Sequence, residues 1–171
     1  TPSAAFSARD VRLRFGCENS GAAVVLDGLT TLLLSASEAP VPDVVALAAT
    51  VSGDGVMRAS ATGAGAFSVA SINLGAQSSL RVTAESTNPA VPVAISVCPT
   101  DAMGNCLQPA AAGAEGISVA VAANATPTFS VFLQLGQITA FDPASTRVRV
   151  NFADSSGEVR GATSVAITRK Q

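Results

Sequence analysis

Val11, Leu13 and Phe15 occupy every second position of a short segment, with Arg12 and Arg14 between them. A period of two is the spacing of one face of a β-strand, so the segment predicts a strand with an apolar face and a charged one. The same period, or a short apolar run, recurs at 29–34, 44–51, 56–61, 66–74, 80–84, 91–98, 117–122, 128–135, 146–152 and 159–168. Turn-forming groups stand between these segments, among them Asp27-Gly28, Pro40-Val41-Pro42, Gly53-Asp54-Gly55, Gly63-Ala64-Gly65, Asn88-Pro89, Asp142-Pro143 and Ser155-Ser156-Gly157. No stretch sustains a helical stripe. The nearest is 44–49, where alanine enrichment is opposed by flanking prolines and following glycines that favour a strand. Strands at regular spacing with turns between them predict an all-β chain, an antiparallel β-sandwich of Greek-key or immunoglobulin-like type. The expected organisation is an N-terminal strand or extension over 1–16 and a sandwich over 17–171, with 86–90 as the place of any subdivision.

Composition changes the picture of the core. Hydrophobic residues make up 48% of the 171-residue chain but aromatic residues only 4%, all of them phenylalanine. Alanine and glycine along the strands imply sheets packed closely over small side chains, with the phenylalanines as bulky anchors. Phe67, Phe129, Phe132, Phe141 and Phe152 stand in or beside apolar strand positions and are expected in the core. Residues 116–140 carry no charge and are numerous enough to cross a bilayer. Asn124, Thr126, Pro127, Gln134 and Gln137 interrupt them, and the apolar positions alternate, so two strands are expected there and no membrane insertion. Twelve acidic against ten basic residues give a net charge of −2, which offers no general attraction to nucleic acid.

Catalytic chemistry finds few tools. The chain has no histidine, tryptophan or tyrosine, and its single lysine is Lys170. A serine nucleophile therefore lacks its usual base, no aromatic platform accompanies the acidic residues, and no glycine-rich phosphate loop precedes a helix. The expectation is a non-enzymatic protein without a cofactor. Calcium is the remaining inorganic candidate, with Asp54 between two glycines and Asp101 with Asn105 as the best oxygen ligands. Neither place has the carboxylate density of a strong calcium loop, and turn formation is the ordinary role of such residues. Asn124-Ala125-Thr126 matches a glycosylation sequon, but Pro127 follows it directly.

Cys98 and Cys106 flank seven turn-rich residues, a spacing that lets the loop ends approach for a disulfide; two reduced, buried cysteines are the alternative. Cys17 is left over, and is expected to be buried, or else to pair with another chain. The opening Thr1-Pro2-Ser3-Ala4-Ala5 fits a mature N-terminus after signal-peptide removal, so the expected compartment is oxidising and extracellular.

The segments Ala125-Thr126-Pro127-Thr128-Phe129, Phe141-Asp142-Pro143-Ala144, Arg147 to Asp154 (RVRVNFAD) and Gly157 to Ala166 (GEVRGATSVA) resemble a repeat of large secreted proteobacterial surface proteins. The cysteine loop and residues 42–55 are similar to it as well, so the likeness spans about 29–168. It implies a β-rich module at the bacterial cell surface, and no catalytic residues.

Two functional readings follow. In one, the chain is the structural subunit of a pilus-like filament, and its N-terminal strand, with Phe6, Val11, Leu13 and Phe15, pairs with another copy. In the other, it is a non-catalytic binding or adhesin module for a surface polysaccharide or protein. The basic residues favour polarity along a filament: Arg9, Arg12 and Arg14 lie near one end of the chain, and Arg147, Arg149, Arg160, Arg169 and Lys170 near the other. Ordinary solvated strand faces are the plain alternative.

Overall fold

A computed structural model describes residues 3–169, all of whose regular elements are strands. Lys170 lies outside the described residues. The chain forms two compact units that divide between Pro40 and Val41, not after residue 16. The reason is pairing: the segment near residue 30 joins the N-terminal strand and not the sandwich.

The first unit is built on β1 (Phe6–Arg12) and β2 (Thr31–Ala36), antiparallel with Val11 opposite Leu32 and Arg12 opposite Thr31. A register shift separates Phe6 from Arg9. The alternation at Val11–Phe15 marks only the end of this strand, because β1 starts at Phe6 and stops at Arg12.

The second unit holds β3 (Val44–Ala49), β4 (Val56–Arg58), β5 (Ala64–Asn73), β6 (Ser78–Ser86), β7 (Val93–Thr100), β8 (Ala111–Ala112), β9 (Ile117–Val121), β10 (Thr128–Leu135), β11 (Arg147–Ala153) and β12 (Val159–Thr168). One sheet has the order β3-β5-β10-β7-β8 and the other β4-β12-β11-β6-β9. Four strands, β3-β5-β10-β7, against β12-β11-β6 reproduce the two-sheet order of an immunoglobulin-like sandwich. Its first strand changes sheets: β3 pairs antiparallel with β5, and after the turn at Gly53 and Gly55, both at positive φ, β4 runs parallel to β12. No break falls at 86–90, which forms the turn leaving β6. There Asn88 Nδ2 donates to Thr146 Oγ1 at 3.0 Å.

Inward positions of both sheets meet in one core. Phe67 and Val69 of β5 and Phe129, Val131, Leu133 and Leu135 of β10 face Leu80 and Val82 of β6, Val148, Val150 and Phe152 of β11, and Val165 and Ile167 of β12. Phe129 and Phe152 meet edge to face with ring centroids 5.5 Å apart. The sheets close tightly at β3 and β12, where a Cβ on Gly161 would stand 2.2 Å from the Val44 carbonyl oxygen. Phe132 and Phe141 are not core residues, being 40% and 56% exposed. Strand parity explains the first: with Phe129, Val131 and Leu133 inward, Phe132 points out. Phe141 lies in the connection between β10 and β11.

Buried Asn73 is a polar keystone that alternation does not reveal. Its Oδ1 accepts from the backbone N–H of Asp43 (3.0 Å) and Gly75 (3.1 Å), and its Nδ2 donates to Ala76 O (2.8 Å) and Ala122 O (3.3 Å). One side chain thereby ties three chain segments at the end of β5.

Candidate functional site

The most unusual surface belongs to the N-terminal hairpin. Its polar side is internally matched: Arg12 donates to Asp27 through Nε (2.8 Å) and Nη2 (2.6 Å), and Thr31 Oγ1 donates to Asp10 at 3.0 Å. The Asp27 hydrogen bond and charge hold Arg12 above its usual pKa. Gly28 (φ 70) allows the turn into β2, and its N–H bonds Thr31 Oγ1 at 2.8 Å. Arg9 stacks over Phe6 at 4.8 Å.

The other side is open and mostly apolar, with Arg9 the one charged residue beside Val11 and Leu34. Leu32 is 54% exposed and Leu34 41%, with Val11 opposite Leu32, and beyond the end of β1 Leu13 and Phe15 are 47% and 64% exposed. An open groove of about 410 Å³ runs along this hairpin, lined in part by Ala4, Phe6, Arg9, Val11 and Leu34. A two-stranded sheet buries too little to be stable by itself in water. The four strand-exchange candidates are thus placed in one unit, but β1 already pairs with β2 of its own chain, and among the described residues that sheet has two strands.

Cys17 is exposed and unbridged, not buried. It sits in the irregular connection between β1 and β2, where the small unit has no core to cover it. Asn124, also exposed, takes a left-handed conformation (φ 61) in the turn before β10.

Cys98 and Cys106 form a disulfide with Cα atoms 5.6 Å apart. The loop it closes is ordered by Asp101, whose carboxylate accepts from Met103 N (2.9 Å), Asn105 N (2.9 Å) and Asn105 Nδ2 (3.1 Å). The Asn105 bonds, side chain first, hold the Asp101 pKa below its usual value. Met103 and Leu107, 86% and 67% exposed, are presented at the surface. Replacing both cysteines with serine is expected to cost about 2–3 kcal/mol, the entropy of a short closed loop. Urea unfolding of wild type and variant compares them directly.

Asp54 is likewise spent on a turn. Its Oδ1 accepts from Ser52 Oγ (2.6 Å) and Val56 N (3.0 Å), and its Oδ2 meets Arg58 Nη2 at 2.7 Å, which depresses its pKa chiefly through the Arg58 bond. The C-terminal arginines are also engaged locally. Arg147 donates to Ser164 and Pro143, Arg149 to Asn151, Arg160 to Asp154, and Arg169 to Leu135 O and Ala61 O. These contacts tie strands and loops of the sandwich together.

Fold and surfaces define the chain as an immunoglobulin-like β-sandwich preceded by a separate hairpin unit with an open, mostly apolar face. No protein-family model matches the chain, and neither does any curated protein sequence.

Proposed function

We propose that this protein is the structural subunit of an extracellular, pilus-like filament in which the N-terminal hairpin of each copy contacts the next copy head to tail. The observation that carries the reading is the open face of Val11, Leu32 and Leu34, continued by Leu13 and Phe15, on a sheet of only two strands. Such a face gains most from being covered, at about 1.5–3 kcal/mol for each fully buried side chain before the costs of association. Contact between unlike surfaces propagates into an open polymer. The disulfide supports an oxidising compartment. The role is non-catalytic, with Asp54 and Asp101 serving turns.

Negative-stain microscopy tests it. Wild-type protein is expected to form filaments, and protein lacking residues 1–40 to remain as single folded sandwiches. The whole hairpin must go, because removing only β1 leaves β2 without a partner. Filaments from the shortened protein, or single particles from the wild type, would overturn the reading.

The stapled loop bearing Met103, with Leu107 directly after it, favours a second reading, a surface-binding module for a polysaccharide or protein. Under it the wild type stays monomeric, and changing both residues to aspartate releases the protein from an immobilised surface polysaccharide.

A further inference from the structure

The outer face of β6 and β11 carries an excess of positive charge. With Leu80, Val82 and Ala84 of β6 and Val148, Val150 and Phe152 of β11 buried, strand parity turns Arg81, Thr83 and Glu85, and Arg147, Arg149 and Asn151, away from the core. Arg81, Arg147 and Arg149 thus stand against the single carboxylate of Glu85, in a chain whose net charge is −2. Among the described residues no ion pair joins any of these arginines to an acid, whereas Arg160 of β12 is paired with Asp154. Each instead donates through Nε to a neutral oxygen at 2.9 Å: Arg81 to Glu115 O, Arg147 to Ser164 Oγ and Arg149 to Asn151 Oδ1. Burial lowers the Arg147 pKa, with no carboxylate to offset the desolvation.

Asn151 sets the geometry. Arg149 and Glu85 are cross-strand partners, a placement at which opposite charges gain from pairing. Asn151 stands between their ends, accepting from Arg149 Nε and donating to Glu85 Oε1 at 2.9 Å. The Arg149 guanidinium therefore keeps both Nη groups for another acceptor, and Glu85 keeps an oxygen for another donor. Arg147 lies two positions before Arg149, about 6.8 Å along the same strand.

The rest of the face selects the partner. Among the described residues, none of the exposed large hydrophobic side chains lies on β6, β11 or β12. Protein interfaces draw most of their affinity from such anchors, so a protein partner finds little here. A duplex nucleic acid, with one charge per ~1.7 Å of axis, would bring phosphates onto Glu85. A sugar chain with separated carboxylates avoids that repulsion, and its hydroxyls are donors for Glu85. We infer that the outer face of β6 and β11 binds an acidic polysaccharide of uronate type, one carboxylate seated across the Nη groups of Arg149 and neighbouring hydroxyls donating to Glu85. Neither the hairpin nor the Met103 loop takes part, so the surface serves a filament subunit and a single module alike.

Titration calorimetry of the full chain with oligogalacturonate tests it, with the methyl ester as the uncharged control. Wild type is expected to bind the acid and not the ester. Arg149→Gln keeps hydrogen-bonding groups without the charge and is expected to weaken binding about 10- to 100-fold, the worth of a charge-assisted contact. Arg81→Gln, at an exposed position, is expected to weaken it about 2- to 5-fold, and serves alone if circular dichroism finds Arg149→Gln unfolded. Equal binding of acid and ester, or binding that neither substitution weakens, would overturn the assignment. Tighter binding of DNA than of oligogalacturonate would overturn the choice of a polysaccharide. Arg149→Gln is expected to assemble as wild type does, and loss of assembly would make this face a contact between copies instead. Filaments that bind no oligogalacturonate would overturn this inference and leave the filament reading standing; a wild type that binds it but never assembles does the reverse.

Discussion

Phe152→Ala is expected to lower the stability of the sandwich by about 3–5 kcal/mol, with Phe129→Ala in the same range. Both rings are fully buried and come from opposite sheets, Phe129 from β10 and Phe152 from β11. Each removal leaves a hole that neighbours on a paired strand cannot fill, because β11 is held on one side by β12 and on the other by β6. The cavity adds to the lost burial, and the edge-to-face contact of the rings adds about 0.5–1.5 kcal/mol more. The double variant is therefore expected to cost less than the sum of the two, since the ring contact is lost only once. Urea unfolding at an unchanged slope, or a fall in the unfolding temperature of roughly 10–20 °C, reads the effect. A loss under about 1.5 kcal/mol for Phe152→Ala would mean that the core relaxes far more than its packing implies.

Most of the sandwich was legible in the sequence because its strands bury alternate residues between two sheets. Thr128 to Leu135 shows how: inward Phe129, Val131, Leu133 and Leu135 give the period of two, and the same parity shows why Phe132 faces out. Alternation says nothing of which strand lies beside which. By alternation alone the segment near residue 30 reads as a sandwich strand, whereas it pairs with β1, and the division between the units falls at Pro40 and not at residue 16. Two-residue β8 is too short to carry any period. Cys98 and Cys106 were readable as a pair because they are close in sequence, whereas the exposure of Cys17 depends on the absence of a core around it. Asn73 and Gly161 matter through contacts with remote backbone, Ala122 in one case and Val44 in the other. The candidate contact surfaces divide along the same line. The stripe Val11, Leu13, Phe15 was visible as a pattern, but the arginine face of β6 and β11 exists only once two separate segments are set side by side.

Asp154→Ala is expected to cost about 3 kcal/mol, a large effect for a residue in a hairpin turn. Asp154 follows β11, and its side chain is only 9% exposed. It accepts from Ser156 N (2.9 Å), Ser156 Oγ (2.5 Å), Glu158 N (3.2 Å) and Arg160 Nε (2.6 Å), so one carboxylate organises the whole connection to β12. Burial pushes its pKa up, but the hydrogen bonds from Ser156 and Arg160 and from the backbone outweigh this, and the carboxyl sits below its usual value. A depressed pKa means that the folded state binds the proton less readily than the unfolded one. Its contribution is therefore complete above the unfolded value of about 3.9 and is lost as pH falls through the lower folded value. Asp54, Asp101 and Asp142 shift in the same direction but lie in solvent, where screening leaves them little effect on stability. Asp154→Asn keeps an acceptor oxygen without the charge, so it is expected to recover part of the loss and to flatten the fall in stability below about pH 4. Chemical unfolding of wild type and Asp154→Asn at a series of pH values compares the slopes. Parallel curves would show that Asp154 is not the group whose protonation loosens the β11–β12 hairpin.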